Sequence, residues 1–268
     1  MKSVLLCSAI LSGAVLYSSC SRKLMPEGHF QDTPVIVDGR INDWGLPLRF
    51  SNPEYSMQYA VTHDNKNFYV CVYSKYESMQ MRILKAGMTL YFDPKGKKDM
   101  KMSLVFPIKK PVDPAENRNG NPIRSGDLKS EIDELLLQSD YYNTTGFLNI
   151  GSGQFGINDK KNNIQVAIRF NEDSSLVYEA AVPISYVLGA DLKPGYVPAN
   201  FSVGVAINQL PARNNNNGYR PRSSYGGGMR GMRMGGGGGG GRNYGSGNNP
   251  NSKPEENWYQ FSLVYKKV

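Results

Sequence analysis

Four aspartates, Asp38, Asp43, Asp64 and Asp93, stand at turns between short apolar runs. If the fold gathers those turns at one end, their carboxylates could hold a hard cation such as calcium through oxygen ligands. The competing reading is that each turn aspartate bonds its own backbone. Other reactive constellations are sparse. The only histidines are His29 and His63, one in a polar stretch and one at a turn, and both read as solvated. A Ser-His-Asp triad would need one of them, and no nucleophile-elbow pattern is present. No Cys/His cluster has zinc spacing. Gly151-Ser152-Gly153-Gln154-Phe155-Gly156 spells G-x-G-x-x-G, but a dinucleotide site needs that motif to open a helix in a βαβ unit. Here polar residues 158–163 and another strand pattern follow, so the stretch reads as a glycine-rich turn. Glu179, read as facing away from Val177, has no identifiable second carboxylate as a catalytic partner. The expectation is a protein without catalytic residues or a bound cofactor, calcium being the one open possibility.

The elements around these residues begin with an address. Met1-Lys2 is basic, Val4 to Tyr17 is mostly apolar and short of the roughly 20 residues a membrane span requires, and small residues lead to Cys20. Tyr17-Ser18-Ser19-Cys20 resembles a bacterial lipobox, which implies a signal peptide over residues 1–19 and an acylated Cys20 that anchors the chain to a membrane without a spanning helix. Basic Ser21-Arg22-Lys23 favours the periplasmic side of the outer membrane over surface export. Residues 20–33 read as a linker after the anchor, and residues 34–268 as one domain.

Cys7 departs with the signal and Cys20 is taken by the anchor, so Cys71, inside the strand pattern 68–73, has no disulfide partner and reads as a small core residue. The net charge of +8 is concentrated rather than spread. Residues 211–254 hold Arg213, Arg220, Arg222, Arg230, Arg233, Arg242 and Lys253 and no acid; subtracting these seven and Lys2 leaves the remaining chain neutral. A neutral body with one basic segment is a different object from a basic domain, and although the Arg/Gly/Tyr/Met segment resembles RGG-type RNA-binding tracts, nucleic acid is not the expected partner outside the cytoplasm. That segment is rich in Gly, Asn and Arg, cannot bury enough apolar surface to offset its ordering entropy, and is expected to be a disordered insertion at a hairpin tip.

Short runs of strand-forming residues recur along the body. Val35–Val37 and Ile41–Trp44, joined at Asp38-Gly39, read as a hairpin, with Trp44 as a core plug. Further strands are read at 57–62, 68–73, 88–92, 102–108, 147–150, 164–170, 176–182, 201–207 and 258–265. Residues 76–85 read as a loop with at most one helical turn, 109–126 as a long loop, and 127–138 as the one convincing helix. A short turn at 184–188 is capped by Gly189. The pattern is an all-β antiparallel sandwich with one short helix and a long insertion.

Several pieces together resemble the family 9 carbohydrate-binding modules and their DOMON-like relatives. These are Val35-Ile36-Val37-Asp38-Gly39 followed by Asp43-Trp44, Asp64 with Asn67-Phe68-Tyr69-Val70, Leu90-Tyr91-Phe92-Asp93-Pro94, and Tyr178-Glu179-Ala180-Ala181-Val182-Pro183-Ile184 followed by Gly195 and Phe201-Ser202-Val203. The resemblance spans about residues 34–208 and the final strand. It implies a secreted β-sandwich that binds sugar ends, in some members with calcium or haem. Family binders clamp sugar between two exposed tryptophans; here Trp44 matches the structural one and Trp258 lies in the last strand.

The expected role is non-catalytic glycan binding by a lipid-anchored envelope protein, with Tyr73, Tyr76 and Tyr91 as candidate stacking residues. The alternative is an envelope interaction protein whose 211–254 segment contacts anionic polymers or lipid. Nucleic acid is not expected as a partner.

Overall fold

The computed structural model describes residues 25–53, 57–109, 128–159, 162–210 and 255–267. Residues 1–19, Cys20, the loop expected at 109–126 beyond Lys109, and the insertion 211–254 lie outside the described residues. Period-two alternation builds the body: Phe201, Val203, Val205 and Ile207 all point into one core, as do Phe68, Val70 and Val72. Pairing two such faces removes both from water, and the result, among the described residues, is two six-stranded sheets face to face.

The first sheet runs β1 (His29–Phe30), β3 (Met57–His63), β4 (Asn67–Ser74), β10 (Leu176–Pro183), β9 (Gln165–Phe170), with β2 (Phe50–Asn52) also on β3. The second runs β12 (Glu255–Phe261), β11 (Phe201–Ile207), β5 (Met88–Asp93), β6 (Ser103–Ile108), β7 (Tyr141–Thr145), β8 (Gly153–Gly156). Pairings between strands are antiparallel except that of β1 with β3. The aromatic centre of the core includes Phe68 stacked on Phe201 at 4.5 Å between ring centroids, joining the two sheets.

Three helices connect the strands among the described residues, not one: α1 (Glu77–Ala86), α2 (Leu128–Leu137) and α3 (Ile184–Leu188). α1 occupies the stretch read as a loop. Its buried side includes Gln80 and Arg82, so it carries no clean apolar stripe, and its N-cap position is Tyr76 rather than a hydroxyl or carboxylate side chain. The polar groups are used. Gln80 Nε2 donates to the carbonyls of Ser74 and Ser174, and Arg82 donates to those of Ile207 and Asn208.

Other expectations also change. Residues 147–150 are not a strand, and the glycine-rich stretch is the edge strand β8 rather than a turn. Part of the expected linker is docked: Gly28 N–H donates to Ser262 O, Ser262 N–H to Pro26 O, and β1 pairs with Thr62 and His63. His63 is fully buried rather than solvated, among Phe30, Phe68 and Phe261. α3 and its left-handed Gly189 cap match the sequence reading.

Candidate functional site

The expected hairpin at 35–44 does not form. Residues 34–48 lie as an irregular loop across the outer face of the first sheet, over Ala60, Cys71, Tyr73, Val177 and Ala181. Glu179 shares that outer face with Val177, because residues two apart in a strand point the same way; the opposed reading is wrong. Its carboxylate is buried and accepts three hydrogen bonds from the loop: Asp38 N–H at 2.9 Å, Gly39 N–H at 2.6 Å and Trp44 Nε1–H at 2.6 Å. Burial pushes the carboxyl up, and the three donors oppose that shift. Gly39 is required twice over: its φ is +77°, and a Cβ there would meet Arg169 Cβ at 2.7 Å. Trp44 is thus a clamp on the sheet's outside rather than a plug in the main core, and Glu179 is its hydrogen-bond partner.

Each of the four candidate metal ligands accepts at least one backbone hydrogen bond. Asp38 accepts from Arg40 N–H and Asp43 from Ile36 N–H. Asp64 accepts from Lys66 and Asn67 N–H and from Tyr69 OH. Asp93 accepts from Lys95, Lys97 and Asp99 N–H. Asp64 lies in the turn between β3 and β4 of the first sheet and Asp93 ends β5 of the second, and no three His, Cys, Asp or Glu side chains gather among the described residues.

The loop leaves two adjoining furrows at the end of the first sheet where β4 runs into α1. One, about 640 Å³, is lined by Leu46, Pro47, Met57, Gln58, Tyr73 and Tyr76, with Asn52 and Lys75 among its polar groups. The other, about 550 Å³, includes Arg40, Arg169, Asn171 and Glu172 and shares Leu46 and Tyr73 with the first. Both volumes are those of ligand clefts. Tyr73 itself is buried, and its hydroxyl donates to Asp173 at 3.1 Å. Asp173 also takes Lys75 at 2.9 Å and the Ser175 hydroxyl; the Ser175 and Lys75 bonds hold its carboxyl well below the usual carboxylate range. The furrow's floor is therefore fixed. Its rim is not covered: Tyr76 is 57% exposed and Leu46 50%.

The structure brings Tyr73 and Tyr76 together and separates Tyr91 from both. Tyr91 lies on the outer face of the second sheet, where it stacks with Trp258. Leu46 and Trp258 carry little signal in the sequence: a lone leucine in a loop has no pattern, and Trp258 reads as a residue of the last strand.

The comparisons add no family to this geometry. No family model matches the chain, and none of the curated proteins matches it.

Proposed function

We propose that this chain is a lipid-anchored envelope protein whose sandwich binds a glycan without catalysis, in the furrow between Leu46 and Tyr76. The observation that carries this reading is an exposed aromatic ring and an exposed aliphatic side chain on the rim of a cleft whose polar groups are already fixed. A sugar offers such a site an apolar ring face and a hydroxyl edge, and Gln58, Asn52 and Lys75 supply orientation. The polarity of the fold supports it. Residues 26–31 dock at the His63 end of β3, whereas the furrow lies at the Ser74 end of β4. The furrow therefore lies about 23 Å along the eight-residue strand from the end at which residues 26–31 dock.

A second reading has its own observation. Leu210 and Glu255, which bracket the basic segment 211–254, follow β11 and open β12 at the furrow end, where Asn257 accepts from Asn52 Nδ2 at 3.0 Å. In this reading the segment contacts anionic polymers or lipid and the sandwich is its platform. Deleting 211–254 separates the two. Glycan affinity that survives deletion and moderate salt supports the furrow; affinity that is lost on deletion and screened by salt supports the basic segment.

A further inference from the structure

The second sheet turns a different outer face to the surroundings, and an aromatic pair lies on it. Trp258 of β12 and Tyr91 of β5 pair with Gly204 of β11 from opposite sides. A Cβ on Gly204 would lie 3.0 Å from Cδ2, Cε2 and Cη2 of Trp258 alike. Three atoms spread around the six-membered ring can be equidistant from that point only if the ring lies face-down over it. The indole is therefore laid flat on the sheet, and the missing side chain of Gly204 is what lets it lie there. Tyr91 is held nearly parallel to it, at 19° and 5.9 Å between centroids, in an offset stack. Among the described residues neither ring belongs to a hydrophobic cluster of the core, and both remain half-exposed.

The surrounding rows define what such a surface takes. On the same face, the three strands place Glu256 and Gln260 beside Trp258, Ser202 and Ala206 beside Gly204, and Thr89 and Asp93 beside Tyr91. Asp93 is consumed by its own turn. No lysine or arginine stands in these three rows, and Glu256 is the carboxylate in them that is not taken up by its own turn. Glu256 accepts from the indole Nε1–H at 3.4 Å through Oε2, and its carboxylate has further lone pairs to accept from a hydroxyl. We infer that this face is a second saccharide site, in which Trp258 and Tyr91 stack on a neutral pyranose ring whose hydroxyls reach Glu256 and the neighbouring polar side chains. It lies on the opposite sheet from the furrow and does not depend on it; with both occupied, one molecule bridges two glycan chains.

Native affinity electrophoresis of the full chain through gels cast with neutral polymers (hydroxyethylcellulose, xyloglucan, galactomannan) or with polygalacturonate tests this. Trp258→Ala is expected to weaken retardation by a neutral polymer about tenfold, the loss of one stacking ring. Gly204→Ala, which lifts the indole from the sheet, is expected to weaken it in part. Both variants are compared with wild type for melting temperature, and Tyr91→Ala repeats the test should Trp258→Ala fold poorly. The furrow is read separately with the double variant Leu46→Ala/Tyr76→Ala. A polymer that retards the double variant but not Trp258→Ala supports the platform without the furrow. The reverse pattern leaves the furrow standing and overturns the platform, as does a wild type retarded by no neutral polymer. Retention on immobilised arginine alone, lost in Glu256→Gln, would assign the stack to a guanidinium and overturn the saccharide.

Discussion

The two tryptophans sit on the outer faces of opposite sheets and do opposite things. Trp44 lies beneath and within a loop, packs against Val35, Leu48 and their neighbours, and donates its indole N–H into the buried Glu179 carboxylate. Trp258 lies on a glycine, joins no core cluster among the described residues, and donates its N–H at 3.4 Å to the exposed carboxylate of Glu256. The difference is one of partners. A ring whose polar edge is satisfied inside the protein is committed to holding the fold; a ring supported from below with its polar edge toward solvent is available to something else.

The largest expected effect tests the first half of that contrast. Glu179→Ala strips the acceptor from Trp44 Nε1–H and two loop N–H groups at once, and should cost about 3–5 kcal/mol in urea unfolding. Trp44→Ala should fall in the same range. Trp258→Ala should cost under about 1 kcal/mol, as a substitution outside any core cluster. Equal losses at the two tryptophans would break the comparison.

A middling effect is expected at the rim of the furrow. Leu46→Ala/Tyr76→Ala should leave the melting temperature within about 2 °C of wild type while weakening furrow binding about tenfold by titration calorimetry. A large drop in melting temperature would make these residues structural and remove the exposed rim on which the proposed site rests.

A smaller effect is expected from pH at the anchor end. His63 is buried neutral: its Nδ1 lies 3.0 Å from Asp64 O, and its Nε2 accepts from Val264 N–H at 3.3 Å. Burial lowers its pKa; the Asp64 carbonyl and carboxylate oppose that, and His29 adds to it. The unfolded chain therefore binds the proton more readily. Stability from this group is full above the ordinary histidine value of about 6.5 and is lost as pH falls from there through the lowered folded value. Thermal melts across pH 5 to 7.5 should show that loss in wild type, and His63→Phe should flatten it while lowering stability throughout. Glu179 has the opposite sign, since its folded pKa is raised, and it acts only in the carboxylate range.

Much of the fold was legible because burial imposes a period. Strands 57–62, 68–73, 88–92, 164–170, 176–182 and 201–207 lie within or nearly match observed strands, since each has an inward face fixed by the core. What escaped was set by polar partners distant in sequence. α1 is stabilised by Gln80 and Arg82 reaching carbonyls on other elements, which no local pattern encodes. The Asp38-Gly39 turn reads as a hairpin locally, yet its N–H groups are claimed by Glu179, 140 residues away, and the flanking runs pack on a sheet instead of pairing. His63 looked solvated because its turn is polar, while its ring is enclosed by residues from three other strands. At the furrow, Tyr73 and Tyr76 were legible as aromatics at the end of a strand, but Leu46 was not, because only the path of the loop brings it beside them. Tyr91 was legible as a stacking candidate without its companion, which is placed by sheet pairing between β11 and the last strand.

The central claim, that the furrow between Leu46 and Tyr76 holds a saccharide, is tested most directly by a glycan-array screen of the purified protein beside its Leu46→Ala/Tyr76→Ala variant, with calcium and then with chelator. The account predicts saccharide signals that persist at moderate salt in wild type, with those of the furrow lost in the variant; a further loss in chelator would add a metal to the site. A blank array, or binding only to polyanions that vanishes with salt, would contradict it and move the function to the basic segment.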